Sequence, residues 1–289
     1  MYISVIPLAR SQSRSPSTYF VWDDFSEMLQ VGYLIEIPLG NSLVLGIVSE
    51  LDIMPPHHIE TQDIRSIVRI IATVALLSPD MIAVIFALSE RYFLLIHKVA
   101  SFFLPTPLLS RLDKKNYLLQ NAIPETHTPD TTVIEIHHYI DTVFSPKDII
   151  PYLHSSTIFV FPDDIFLGFF QKTLSEYTWL SIGICPNDTT PTRRSAFWID
   201  IFEKKYDIIF WTRRILYYNL RAYHTIIYIE DAFSQEQYSY PTKIQNLDIV
   251  KYISQTRIND IIIISSSPTI ALLSLFPRAQ IISKRTHQP

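Results

Sequence analysis

Thr225-Ile226-Ile227-Tyr228-Ile229-Glu230-Asp231 is an apolar run that ends in two acids. No polar residue alternates within it, so neither face of a strand here is set out for water. Such a run suits a strand covered on both sides, as in a parallel sheet. The same composition recurs at Thr157 to Phe161, Trp179 to Ile184, Asp207 to Trp211 and Ile261 to Ile264. About 10 to 30 residues separate these runs, and several of the intervening segments, such as Thr192 to Lys204, have helical patterning. Strand–helix alternation predicts an α/β fold with right-handed crossovers. Asp163-Asp164 is placed to cap a helix beginning near Ile165. Glu230-Asp231 falls at a strand's carboxyl end, where α/β sheets bind ligands.

The chain before this region has another rhythm. Tyr2 to Ile6, Tyr19 to Trp22, Tyr33 to Ile37 and Leu43 to Val48 are short β-rich runs between turn-like segments, which predicts a small barrel or meander. Ile64, Ile67, Val68 and Ile71 have helical spacing but β-branched side chains, and a strand is the preferred reading. Ser78-Pro79-Asp80 opens a helix with a serine cap and a proline in the first turn, and Pro105 and Pro107 are expected to stop the helices that come after it. The polar segment Asp113 to Thr131 is the best linker. The chain therefore divides into 1–112, a linker at 113–131, and 132–289.

Bulk composition narrows the class. The 289 residues suit about two domains, and 48% apolar content excludes a disordered chain. Isoleucine is abundant, at 43 residues. Glycine is scarce, at 5 against the roughly 20 expected from average usage. Net charge is −4, and residues 1–112 hold seven Lys and Arg against ten acids, so a nucleic-acid contact there should be weak and local. Cys185 is the single cysteine; it excludes an internal disulfide and fits a reducing cytosol, with a buried, unactivated thiol expected. No signal peptide is evident in Met1 to Arg10. Ile261 to Phe276 is too short and too hydroxylated to span a bilayer, so the expectation is a soluble cytoplasmic protein without membrane contact.

A phosphate-binding turn needs small residues, because bare amides must approach the anion and a lysine must reach it. No such loop occurs, and residues 113–167 contain no glycine. The expected slot instead holds Tyr139-Ile140-Asp141-Thr142-Val143-Phe144-Ser145-Pro146-Lys147, whose bulk opposes nucleotide binding. His57-His58 and His137-His138 lack a third ligand at closing distance, so no metal site is predicted and solvent-facing histidines are expected.

Several motifs in order resemble the N-terminal half of the primosomal protein N′ (PriA) family of bacterial replication-restart helicases. Leu29-Gln30-Val31-Gly32-Tyr33-Leu34-Ile35-Glu36-Ile37-Pro38-Leu39-Gly40, and then Leu45-Gly46-Ile47-Val48, is similar to that family's L-x-x-G-x-x-V-x-V-P-F-G and G-I-V. Ile64 to Val68 and the helices ending at Leu104-Pro105 resemble the rest of its 3′-end-binding domain. Arg194 and Trp198 resemble the Arg and Trp of E-R-x-x-x-x-W at a spacing one residue shorter, and Ile208 to Leu216 resembles V-I-G-T-R-S-A-L. Ile226 to Phe233 stands where the family has a strand ending in Asp-Glu-Glu-His, and Ser265-Ser266-Ser267-Pro268-Thr269 resembles S-A-T-P-S. The similarity covers most of residues 17–275. It implies a β-rich 3′-end DNA-binding domain and then a RecA-like parallel α/β lobe, here without its phosphate loop.

The resemblance also implies site residues. Capping of a DNA 3′ terminus falls to Tyr19, which alone remains of the family's Phe-Asp-Tyr, to Gly40 with the adjoining Asn41, and to Arg65 as a phosphate-holding cation. A base stacked on Tyr19 would contribute about 1–3 kcal/mol. Thr212 and Arg213 are further candidate contacts. Glu230 and Asp231 replace the family's Asp-Glu, and Ala232 and Phe233 replace its Glu and His, so the pair reads as a relic rather than a catalytic site. The chain ends near the close of the first lobe, and no second-lobe arginine finger, winged helix or zinc-binding cysteine is expected. The implied function is DNA binding at forks or 3′ ends in replication restart, without ATP hydrolysis and with no cofactor. The implied partners are DNA and other primosome or replication proteins. The alternatives are a non-catalytic scaffold subunit of the replication machinery, or an active DNA-dependent ATPase using ATP and magnesium.

Overall fold

Alternating small β-branched runs and turn residues build the first part of the chain into an antiparallel sheet. The strands are β1 (Tyr2–Pro7), β2 (Ser17–Phe20), β3 (Leu34–Leu39), β4 (Ser42–Glu50) and β5 (Arg69–Ala72), ordered β2-β1-β4-β3-β5. This computed structural model describes residues 1–9, 15–55, 60–115, 133–140, 145–174, 179–185, 189–230, 238–239, 244–256 and 259–285. The chain separates into two units, Met1–Ala122 and Ile123–Pro289.

In the first unit the sheet's two edges meet. The Phe20 amide donates to the Arg65 carbonyl at 2.9 Å and the Ile67 amide donates to the Phe20 carbonyl at 3.0 Å, a parallel bridge just ahead of β5. Side chains of alternate residues, Ile3, Val5, Tyr19, Val21, Ile35, Ile37, Val48 and Ile67, fill the interior. The short helix α1 (Asp23–Ser26) comes after β2. Helix α2 (Pro79–Arg91) starts as its residues dictate, with the Met81 amide donating to Ser78 Oγ at 3.2 Å. Helix α3 (Ile96–Phe103) buries Ile96, Val99, Ala100 and Phe103. Pro107, expected from the sequence to stop a helix, instead lies in the first turn of α4 (Thr106–Lys115), where a missing N–H costs nothing. Helix α4 thus takes in the first three residues of the segment read as a linker. The rest of that segment lies outside the described residues.

The second unit is a seven-stranded parallel sheet ordered β14-β6-β13-β10-β7-β9-β8. Its strands are β6 (Ile134–Ile140), β7 (Thr157–Phe161), β8 (Ile182–Ile184), β9 (Ile208–Thr212), β10 (Thr225–Glu230), β13 (Asp260–Ser265) and β14 (Gln280–Arg285). A small antiparallel pair, β11 (Tyr238–Ser239) and β12 (Ile244–Gln245), lies apart from it. Every residue of β7, β9 and β10 is buried, the result expected of uninterrupted apolar strands covered on both faces. Helices α5 (Asp164–Leu174), α6 (Pro191–Phe202), α7 (Asn246–Gln255) and α8 (Ile270–Leu275) make the crossovers, with 3₁₀ turns at Pro146–Tyr152 and Arg213–Tyr217. The Phe166 amide donates to Asp163 Oδ1 at 2.9 Å, so Asp163 caps α5 as its position predicts. The run from Trp179 pairs only from Ile182 onward, and Trp179 is exposed.

Chain direction reverses inside this sheet. From β7 the chain moves outward to β8, whereas from β10 it moves the other way to β13. Crevices outside the carboxyl ends at such a reversal are where α/β sheets hold ligands.

Candidate functional site

At the carboxyl end of β10, Glu230 pairs in register with Ser265 of β13. The Ser267 amide donates to Ser265 Oγ at 3.2 Å and turns the chain back toward the edge. That turn delivers Thr269, the cap of α8, whose hydroxyl accepts from the Leu272 amide at 3.1 Å and donates to Glu230 Oε1 at 3.1 Å. Arg213, Tyr228 and Gln245 complete the polar lining of a cavity of about 110 Å³. Burial raises the Tyr228 phenol, and the Arg213 guanidinium draws it back down. Asp231, the second acid of the pair, lies outside the described residues.

Thr212 and Arg213 are both buried. Thr212 lies opposite Phe161 at the end of β9, and Arg213 turns into the Glu230 cavity, so neither side chain is presented to solvent as a nucleic-acid contact would be. Across the sheet, Asp141 to Phe144 lie outside the described residues. Immediately after them, the Ser145 amide and hydroxyl both donate to Asp148 Oδ2, at 2.8 and 2.9 Å, so this helical start is capped by the chain's own carboxylate.

His137 is not solvent-facing, as its sequence context suggested it would be. It is buried on β6, with Nε2 at 2.7 Å from Glu135 Oε2 and Nδ1 at 2.7 Å from the Tyr152 hydroxyl. Its two-residue spacing from Glu135 on one face of a strand is the sequence signal for this bridge. His57 and His58 lie outside the described residues. Among the described residues no group of three His, Cys, Asp or Glu side chains is arranged to hold a metal ion.

In the first unit, the structure brings Tyr19, Gly40 and Arg65 together. The Tyr19 hydroxyl donates to the Pro38 carbonyl at 3.0 Å, and Arg65 Nη1 donates to the Gly40 carbonyl. Both bonds hold the β3–β4 turn, where Gly40 has φ +60° and Gly40, Asn41 and Ser42 are exposed. Burial raises the Tyr19 phenol, and the nearby Arg65 charge opposes the shift. Only 4% of Tyr19 is exposed, so its ring is interior packing and offers no face for a stacked base. The aromatic surface is instead on the outward residues, Phe20 and Trp22, whose rings meet edge to face at 4.9 Å.

Cations near this turn differ in availability. Arg69 donates to Glu36 and to Asp113, each at 2.8 Å, so two acids already satisfy it. Arg65 is exposed and makes no ion pair among the described residues.

These features define a two-unit chain: a closed antiparallel β domain with an exposed polar turn, then a parallel α/β sheet with a carboxylate at its edge. Residues 5–105 match the 3′DNA-binding domain (3′BD) family of PriA. No curated protein matches the chain. Among solved structures it is similar to the Pyrococcus furiosus Hef helicase domain, at 10% identity over 56% of this chain and 36% of that one, with a TM-score of 0.39. It is also similar to the C-terminal domain of a Dbp5 variant from S. cerevisiae bound to Gle1 and IP6, at 14% identity over 55% of this chain and 92% of that one, TM-score 0.36. The match thus spans about a third of the Hef chain. Among the described residues, no helix is long and apolar enough to cross a membrane.

Proposed function

We propose that this chain binds DNA at 3′ ends or forks through its first unit, acts in replication restart in the cytoplasm, and does so without hydrolysing ATP. The observation that carries the reading is the turn at Gly40, which lies inside the matched span of residues 5–105. A Cβ built on Gly40 would meet nothing within 4 Å, so a nucleotide can approach bare backbone there. Arg65 stands beside it with a charge outside any ion pair among the described residues. Asn41, next in the turn, adds an exposed amide side chain.

Two features of the second unit support the absence of ATP hydrolysis. The Glu230 cavity of about 110 Å³ falls well below the roughly 300 Å³ at which cofactor pockets begin. Its polar lining places the Arg213 guanidinium in the same cavity as the Glu230 carboxylate, and that positive charge opposes a divalent cation there.

Fluorescence anisotropy with a 3′-recessed fork and a blunt duplex, at two salt concentrations, tests the DNA reading. The fork should bind more tightly, and Arg65→Ala should remove the difference. Equal and negligible binding to both would end it.

A protein-docking role is favoured by a different surface. Trp22 and Met28 are 57% and 54% exposed and flank the acids Asp23, Asp24 and Glu27. This surface suits a basic, apolar segment of another replication protein. Co-purification from the source cells with and without nuclease separates the two: a partner retained after nuclease treatment supports docking.

A further inference from the structure

Helix α5 turns its two faces to different surroundings. Leu167 and Phe170 are buried in the core with Phe159, Phe161 and Phe210, and Phe170 meets Phe161 at 5.2 Å between ring centroids. The opposite face is Ile165, Gly168, Phe169 and Lys172, spaced i, i+3, i+4 and i+7, so it forms one stripe along the helix. All four residues are exposed. Ile165 is 82% exposed and Phe169 60%, on a face where a helix of this kind carries polar residues when only water covers it. The Phe169 ring stands edge-on to Phe170 at 5.8 Å, which ties its position to the core.

Gly168 sharpens the case. The chain has 5 glycines, and four of them have a reason inside it. Gly32 and Gly40 have left-handed backbones, while a Cβ at Gly46 or Gly183 would collide with Val5 or Tyr206. At Gly168 the backbone is helical, and a Cβ would meet nothing within 4 Å. A glycine inside a helix is destabilising relative to alanine. Nothing within the chain offsets that cost, whereas a second surface coming close to this backbone would. The ends of the stripe carry opposite charges, Asp164 in the first turn and Lys172 in the last. A face with ends of opposite sign complements itself when it is turned end for end. That operation is the two-fold axis of a symmetric dimer, in which one patch meets its own copy.

We propose that α5 is the seat of a symmetric dimer of this chain. Two copies pack antiparallel along this stripe, with Phe169 of each at the partner's Gly168 and Asp164 of each facing the partner's Lys172. The missing side chain at Gly168 lets the helices approach and receives the ring, and the charges close the rim at both ends. A contact through one helix is small, so the dimer is weak and forms as concentration rises. No DNA enters the contact, so the pairing goes beyond the function proposed above and stands or falls separately from it.

The test is sedimentation of the full chain without DNA, in low salt, from low to high micromolar concentration, with melting recorded for each variant. The parent should pass from monomer to dimer. Phe169→Ser should weaken the dimer by about tenfold or more. Gly168→Ala should raise the melting temperature of the monomer and yet weaken the dimer, opposite effects that a glycine serving only the fold would not give. D164K and K172E should each lose the dimer, because like charges then face each other. An equimolar mixture of the two should recover it, since opposite charges meet again at both contacts. Asp163 still caps α5 in these variants, so each should keep its fold; where one melts low, Gly168→Ala keeps the test decisive. A parent that stays monomeric throughout would overturn the proposal and leave the face to a different protein. A dimer that persists in both Phe169→Ser and Gly168→Ala would overturn it as well. A mixture of D164K and K172E that stays monomeric would overturn the antiparallel pairing.

Discussion

Two glycines with left-handed backbones make a paired experiment, because the structure assigns them opposite surroundings. Gly32 has φ +87°, and a Cβ there would lie 1.9 Å from the Leu77 carbonyl oxygen; Gly40 has φ +60°, and a Cβ there would meet nothing. Gly32 cannot swing aside, since its amide donates to the Val48 carbonyl at 2.8 Å and its carbonyl accepts from the Leu76 amide at 2.9 Å. An alanine in the left-handed region costs about 1–2 kcal/mol. At Gly40 that is the whole cost. At Gly32 the clash must also be relieved, which breaks the bond to Leu76 and strands a buried amide at a further cost of about 1–3 kcal/mol. Gly32→Ala should therefore destabilise by about 2–5 kcal/mol, or roughly 8–20 °C in the melting of a unit this size. Gly40→Ala should lower melting by about 4–8 °C while weakening fork binding, because the methyl fills the space left for a nucleotide. Calorimetry and anisotropy on both variants read this directly. A Gly32→Ala protein that melts with the parent would refute the steric argument. A Gly40→Ala protein that binds forks normally would refute the placement of DNA at this turn.

Other consequences are as specific. Tyr19→Phe removes the hydroxyl that holds the Pro38 carbonyl and should cost about 1 kcal/mol in chemical denaturation, with the interior packing intact. Phosphate release from ATP should stay at background in both the parent and Glu230→Gln; magnesium-dependent release that falls in the variant would restore the ATPase reading. Asp207 accepts from the Ser181 amide at 3.0 Å and the Ser181 hydroxyl at 2.7 Å, bonds that hold its carboxyl below the usual range. A depressed carboxyl stabilises the fold above the unfolded value near pH 4, and that contribution is lost as pH falls through the folded value. Asp207→Asn should therefore flatten the acid limb of a stability–pH curve, and an unchanged limb would remove Asp207 from the account.

The parallel sheet was legible because its strands are uninterrupted apolar runs, and burial on both faces leaves such runs few other uses. The caps at Ser78 and Asp163 were legible for an equally local reason, a side-chain oxygen three residues ahead of an orphan amide. The site was less so. In Tyr19-Phe20 either aromatic could face inward, and what decides it is the bridge between Phe20 and Ser66, nearly fifty residues away. Arg213 and Arg214 are adjacent, yet the 3₁₀ turn that begins at Arg213 sends the first into the Glu230 cavity and leaves the second exposed. Proline rules fail in the same way at Pro107, because a proline that would break one helix fits equally well in the first turn of the next.

The distribution of charge along the sheet's carboxyl edge then bears on what the second unit can hold. A helix start attracts an anion through open amides and nearby positive charge. After β6 that attraction is already met, since Asp148 occupies the Ser145 amide and hydroxyl with a carboxylate of the chain's own. At the end of β10 the Glu230 carboxylate accepts from the Thr269 hydroxyl and shares its cavity with the Arg213 guanidinium. At α6 the start is closed by the chain itself: Pro191 has no amide hydrogen, and the Arg193 and Arg194 amides donate to the Thr190 hydroxyl and carbonyl. A net charge of −4 says nothing of these arrangements, because counting charges averages over sites that distance and burial keep separate. An incoming phosphate would have to displace Asp148 at the first site and would meet Glu230 at the second.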